Sequence, residues 1–257
     1  MPKQLLVKAG LAGTLLLTSA GQKLKSLPEK PPELRLPMGL VNSEELKELL
    51  GKFLKKSLPS ASRVLTAKEE KELLRIIQRV LGIKAAAQLD GQRLNHQMGL
   101  IGLEQHLPRF PGDSLAGRNF PEVGLTKGRG AWGYFVSSAG ALTQADIDRE
   151  KYYIAVQTLY LPEWQTKHNQ LKQWYAFRKM LVINPLNGAA VVTAIGDAGP
   201  AKWTGKQFGG SPQVMFDLGF YPKKTKGRVV VLFIDDPENN IPLGPVRYRG
   251  TKPPAEV

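Results

Sequence analysis

The sequence predicts an α+β protein, with helices toward the N-terminus followed by a small closed β-barrel of six strands. Three observations carry that reading. Two stretches between residues 43 and 82 repeat apolar side chains at helical spacing. From residue 83 onward the chain breaks into short apolar segments punctuated by glycine. Asn187-Gly188 lies between two β-branched runs, a strong short-range hairpin signal.

The elements follow in order. Residues 1–22 read as a signal peptide: Lys3 and Lys8 precede a charge-free apolar run that ends in Thr18-Ser19-Ala20. That run is too short to span a bilayer as a conventional helix. It predicts an extracytoplasmic protein, secreted or membrane-associated through its N-terminus. Residues 23–42 form a basic, extended spacer with Pro28, Pro31, Pro32 and Pro37. Residues 43–82 hold two helices. The first is capped by Ser43 and carries Leu46, Leu49, Leu50, Phe53 and Leu54 on one stripe. The second opens with the capping box Thr66-x-x-Glu69, buries Leu73, Ile76, Ile77 and Val80, and stops at Gly82.

Residues 83–127 are a mixed connecting segment, with a strand at 83–89 and a stretch at 94–107 that fits strand or helix. Pro108, Pro111 and Gly112 then break the chain. Residues 128–250 are the barrel domain, with strands expected at 131–136, 152–160, 180–183, 190–195 and 228–234. One short helix is expected at 211–218, capped by Ser211 with Pro212 in its first turn.

Composition narrows the chemistry. The 257 residues carry a net charge of +14 and no cysteine. Disulfides, thiolate metal sites and a thiol nucleophile are thereby excluded. The positive charge favours anionic polymers: cell-wall polymer, lipid headgroups or nucleic acid. Nothing at motif level supports nucleic acid as the partner. His96, His106 and His168 lack ligand spacing, and Asp235-Asp236 reads as a turn, so no metal and no cofactor is expected.

The most informative residue is Asp197. It follows the second hairpin strand in Gly196-Asp197-Ala198-Gly199-Pro200, a tight loop around one carboxylate. Such a group is a candidate acid/base, or a turn aspartate bonded to its own loop amides. Further motifs surround it. Gly130-Ala131-Trp132-Gly133-Tyr134-Phe135, Ala155-Val156-Gln157-Thr158-Leu159, Asn184-Pro185-Leu186-Asn187-Gly188 and Asp197-Ala198-Gly199-Pro200 occur in that order. Together they resemble the double-psi β-barrel family, over about residues 128–236. The nearest resemblance is to the rare lipoprotein A-like proteins, with expansins and membrane-bound lytic transglycosylases further off.

That resemblance implies a double-psi barrel acting on cell-wall glycan or peptidoglycan, with Asp197 as catalytic acid/base. The chain also departs from the family pattern. Gln157 stands near the family's histidine, Ala198 at its arginine, and Gly209-Gly210-Ser211 where a second carboxylate is usual. An extra segment, residues 162–177, carries Trp164, His168, Trp174 and Tyr175.

Trp203, Trp174, Trp164 and Tyr175 are candidates for an aromatic platform under sugar rings. Lys202 and Lys206 flank Trp203 and are expected to meet carboxylates of the ligand. Two readings remain open: a lytic transglycosylase-type enzyme with one aspartate, or an expansin-like barrel that binds polysaccharide or peptidoglycan without cleaving it.

Overall fold

The computed structural model describes residues 42–61 and 63–248. The expected leader, and all but the last residue of the expected spacer, lie outside them. Among the described residues no helix is long and apolar enough to cross a membrane.

Helices α1 (Ser43–Ser57) and α2 (Ala67–Leu81) form where the apolar stripes predict them. The cap of α1 is Asn42 rather than Ser43. Asn42 stands three residues before Glu45, so its side chain accepts from the Glu45 N–H at 2.9 Å while the Glu45 carboxylate accepts from the Asn42 N–H at 3.1 Å. Gly82, in the left-handed region at φ 68°, ends α2.

The strands are β1 (Ala85–Ala86), β2 (Gln88–Leu89), β3 (Gln92–Arg93), β4 (Met98–Leu103), β5 (Tyr153–Val156), β6 (Lys179–Ile183), β7 (Ala190–Asp197), β8 (Phe208–Gly210), β9 (Lys226–Ile234) and β10 (Gly244–Pro245). Six of them close a mixed barrel in the order β4-β9-β6-β7-β5-β8 and back to β4. The β5–β7 and β4–β8 pairs are parallel, and the other four are antiparallel. Strands β1 and β10 extend the sheet beyond the barrel on β9 and β7. The fold is thus α+β, with helices followed by a closed six-stranded barrel.

Alternation along the strands divides the core in two. Met180, Val182, Val191, Ile195, Val229, Val231 and Phe233 share one apolar cluster with Ile154, Phe208, Val214 and Met215. Their neighbours Leu181, Ile183, Ala190, Val192, Val230, Leu232 and Ile234 instead meet Leu50, Phe53, Leu54, Ile76 and Ile77 of α1 and α2. Both faces of β6, β7 and β9 are therefore dry, which is why these strands read as continuous apolar runs.

The Asn187-Gly188 hairpin joins β6 to β7, pairing Ile183 with Ala190. Gly188 sits at φ 75°, and a Cβ there would lie 2.0 Å from the Lys47 carbonyl of α1. Only glycine suits both the turn and the close passage of the helix.

Of the strand expected at 152–160 only β5 is extended, with Thr158–Tyr160 a 3-10 turn; a second expected strand is absent and one barrel strand was not expected. Residues 131–136 form a turn with a single Gly130–Gly133 bridge rather than a strand, because Gly133 takes φ 93° and reverses the chain. The sixth barrel strand, β8, contains Gly209 and Gly210, residues that lower strand propensity. A Cβ on Gly209 would lie 2.5 Å from the Glu104 side chain, and one on Gly210 would lie 3.0 Å from Ile101. The glycines are there for close packing, not for a turn.

Helix α3 (Gln144–Lys151) leads into β5, α4 (His168–Tyr175) occupies the extra segment, and α5 (Pro212–Asp217) follows β8. Ser211 caps α5 as expected, accepting from the Val214 N–H at 3.2 Å.

Candidate functional site

Asp197 is the last residue of β7, opposite Ala155 just past a register shift between β5 and β7. Bulges of this kind end regular pairing and re-aim a side chain. The approach of a second segment is made by glycine. A Cβ on Gly196 would lie 2.7 Å from Tyr153, and one on Gly130 would lie 2.7 Å from the Gly196 carbonyl. The residue 128–133 turn can therefore lie against the end of β7. Its Ala131 N–H donates to Asp197 Oδ1 at 2.9 Å, and the Ala198 N–H donates to the same oxygen at 2.8 Å. Oδ2 accepts no hydrogen bond among the described residues.

Asp197 lines an open cleft of about 520 Å³. Trp132 and Trp164 line it together with Leu159, Tyr160 and the Ala198–Ala201 loop. Trp132 is fixed by its indole N–H, which donates to the Lys172 carbonyl of α4 at 2.6 Å. Trp164 is buried, and its ring meets His168 edge-on at 5.0 Å. Asp197 is the only carboxylate among the lining residues.

Gln157 is buried. Its amide donates to the carbonyls of Pro200 at 3.0 Å and Lys206 at 2.9 Å. It ties the loop after Asp197 to the end of β5, a positioning contact rather than a reacting one. Ala198 is buried as well.

The expected binding residues are dispersed. Tyr175 is fully buried, its hydroxyl donating to the Arg93 carbonyl at 3.2 Å, and burial pushes that hydroxyl up from its ordinary pKa. Trp174 packs on Phe233 with ring centroids 5.4 Å apart, under the Arg178 guanidinium at 4.3 Å. Neither lines the cleft. Trp203 is 89% exposed on a short 3-10 turn, two residues beyond cleft-lining Ala201. Lys202 lies over the Tyr160 ring at 4.6 Å, and Lys206 is paired with Glu104 at 2.7 Å. Of the four aromatics expected in a platform, Trp164 alone lines the cleft, and its partner there is Trp132.

Arg129, Tyr160 and Lys172 complete the lining and were not singled out in the sequence. A signal existed for Lys172. Trp164, His168 and Lys172 recur every four residues, the spacing of one helical face.

A further group escaped sequence reasoning. Asp113, Arg118, Glu150 and His106 form a buried ionic cluster beside the segment that leads to the cleft. Arg118 pairs with Asp113 and reaches Glu150 at 2.5 Å, while His106 Nδ1 meets Glu150 at 3.0 Å. Arg109 grips Asp113 through two side-chain bonds of 2.9 Å. Burial pushes the Asp113 carboxyl up, but these bonds and the Arg118 charge outweigh it and hold the group below the usual carboxylate range. Among the described residues no group of histidines and carboxylates is arranged to hold a metal ion.

The sequence matches no protein-family model and no curated protein closely enough to count as a relative.

Proposed function

We propose that the protein acts on a cell-wall glycan outside the cytoplasm, binding a saccharide chain in the cleft and cleaving it by lytic transglycosylase chemistry. The closed mixed barrel is compatible with the double-psi arrangement of rare lipoprotein A-like proteins, and this reading takes the chain as a divergent example. The observation that carries it is a single carboxylate, with one oxygen uncommitted, in a cleft lined by the part-exposed Trp132 indole together with the buried Trp164. Indole faces stack on the apolar faces of sugar rings. A protonated Asp197 would give its proton to the glycosidic oxygen as the bond to the anomeric carbon breaks. The carboxylate would then take the proton of a hydroxyl on the same sugar as that oxygen closes onto the anomeric carbon. The aspartic acid is regenerated and no water is consumed, so one carboxyl suffices where hydrolysis generally uses two.

A non-catalytic, expansin-like binding barrel is the second reading. It is favoured by the two loop N–H groups already bound to Oδ1, and by Gln157, Ala198 and Gly209 at positions where the family pattern is polar.

Incubation with purified peptidoglycan, with products resolved by mass, separates the two. Asp197→Asn keeps shape and hydrogen bonding but cannot transfer the proton. Turnover is expected to fall by about a hundredfold or more, with glycan affinity held within about twofold. Unchanged turnover in this variant would remove the enzymatic reading. Glycan binding without turnover in the unsubstituted protein would establish the binding barrel.

A further inference from the structure

The cleft has a charge pattern that the sequence did not assign. Its lining holds Arg129 and Lys172 as cations, His168 as a third basic side chain, and Asp197 as the single acid. Neither Arg129 nor Lys172 is paired with a carboxylate among the described residues. Arg129 has only the Tyr134 ring beneath its guanidinium at 5.6 Å. Asp197 spends one oxygen on backbone donors instead of on either cation.

The two cations belong to one structural unit. Arg129 lies three residues before Trp132, and the Trp132 indole N–H is bound to the Lys172 carbonyl at 2.6 Å. That bond ties the 128–133 turn to α4. His168 opens α4, and among the described residues no side chain caps that helix end, so its N–H groups add positive potential there. The cations expected from the sequence to meet a ligand's carboxylates are otherwise engaged: Lys206 by Glu104 and Lys202 by the Tyr160 ring.

We infer that Arg129 and Lys172 are the specificity-determining residues of the cleft, selecting a glycan that carries carboxylate groups over its neutral counterpart. The inference rests on the glycan reading above and adds which residues discriminate. An arginine and a lysine suit this task differently. The guanidinium fork takes a carboxylate through two parallel hydrogen bonds, and the ammonium adds a mobile point charge. The Trp132 indole handles the sugar ring, and the cations handle its acidic substituent. Lys172 lies in the extra 162–177 segment, so selectivity of this kind would come with that insertion.

Calorimetric titration of the full chain tests it with two probes. One is an N-acetylated tetrasaccharide bearing carboxylates on alternate sugars; the other is the same molecule with those carboxylates converted to methylamides. The acid form is expected to bind at least about tenfold more tightly, as charge-assisted hydrogen bonds supply. That ratio should shrink as salt is raised from 0.05 to about 0.5 M. Arg129→Gln and Lys172→Gln should each reduce the ratio several-fold, and the double variant should bring it near one while leaving the methylamide's affinity unchanged. Equal binding of the two probes by the unsubstituted protein overturns the inference but leaves the glycan reading standing. Binding of neither probe overturns both. Displacement of the acid form by a single-stranded oligonucleotide of higher affinity would assign the cations to nucleic acid and overturn both as well.

Discussion

The barrel is covered in two contrasting ways. On one side α1 and α2 lie against β6, β7 and β9 through leucine, isoleucine, valine and phenylalanine. On the other, the irregular segment between β4 and α3 is held by buried charge: the side chains of Asp113, Arg118, Glu150 and His106 are 2 to 5% exposed. The difference follows from backbone bookkeeping. A helix satisfies its own N–H and C=O groups and needs only apolar contact to stay in place. An irregular loop arrives with unpaired backbone groups, and side chains must supply the partners. Asp113 accepts from the backbone of Arg109 and Ser114, Glu150 accepts from the Leu107 N–H, and Arg118 donates to the carbonyls of Leu107 and Ser114. The cleft adjoins the second kind of covering, since this segment runs on into the turn that carries Arg129 and Trp132.

The sharpest way to break the contrast is to remove one member from each side. Arg118→Met leaves Asp113 and Glu150 as buried carboxylates short of a cation, and is expected to cost about 3–5 kcal/mol. Leu50→Ala on the helix side opens a cavity and is expected to cost about 2–4 kcal/mol. Urea denaturation measures both. The two differ in a second readout: Arg118→Met should also weaken ligand binding in the cleft, whereas Leu50→Ala should not. Equal retention of binding would show that the ionic cluster is unconnected to the site.

Acid sharpens the same comparison without substitution. The Asp113 pKa is depressed in the folded protein, so its contribution is complete above the unfolded carboxylate range and is lost as pH falls through and below it. On the helix-covered side the apolar contacts do not titrate, and acid dependence enters in the first turn of α2, where the Arg63 guanidinium and the Thr66 N–H hold the Glu69 carboxyl at about 2. Amide hydrogen exchange at falling pH, corrected for intrinsic rates, should lose protection at Arg109, Ser114 and Arg118 before it does at Ile76, Ile77 and Val80 in the body of α2. Simultaneous loss would indicate that the two coverings unfold as one unit.

Legibility in the sequence tracks the same division. Leu73, Ile76, Ile77 and Val80 repeat at helical spacing, and Asn187-Gly188 interrupts two β-branched runs, so the helices and the β6–β7 hairpin were readable from local pattern. Asp197 was readable because its loop is local as well. What was not readable depends on contacts far apart in the chain. Strand β8 is two-thirds glycine, and its strand character comes only from pairing with β4 and β5. Arg118 and Glu150 are 32 positions apart with no periodicity linking them. Trp132 and Lys172 meet through one indole hydrogen bond across 40 positions, and nothing near either residue announces it.

Trp203 offers a smaller effect. It is almost entirely exposed, so Trp203→Ala should change folding stability by no more than about 0.5 kcal/mol. As a stacking surface at the cleft rim it should contribute a few-fold in affinity for a long oligosaccharide and nothing for a disaccharide too short to reach it. Titration with saccharides of increasing length reads this directly; an affinity that does not depend on length in either protein would leave Trp203 without a binding role.

A last small effect concerns Asp217, at the end of a polar chain that joins the loop to α5. The Asn119 side-chain amide donates to Gln213 Oε1 at 2.7 Å, and Gln213 Nε2 donates to Asp217 Oδ1 at 3.0 Å. Oδ2 is buried with no partner among the described residues. Burial raises the Asp217 pKa, opposed by the Gln213 hydrogen bond and the charge of Lys151. A carboxyl whose folded pKa lies above its unfolded value costs stability once pH exceeds the folded value. The cost disappears below the unfolded one. Asp217→Asn removes the charge and keeps an oxygen for Gln213, so it should stabilise the protein at neutral pH by at most about 1 kcal/mol. The gain should vanish on acidification through the ordinary carboxylate range, the reverse of the trend at Asp113. Thermal unfolding of both proteins across that range measures the difference, and a gain that persists at low pH would mean that packing, not charge, is responsible.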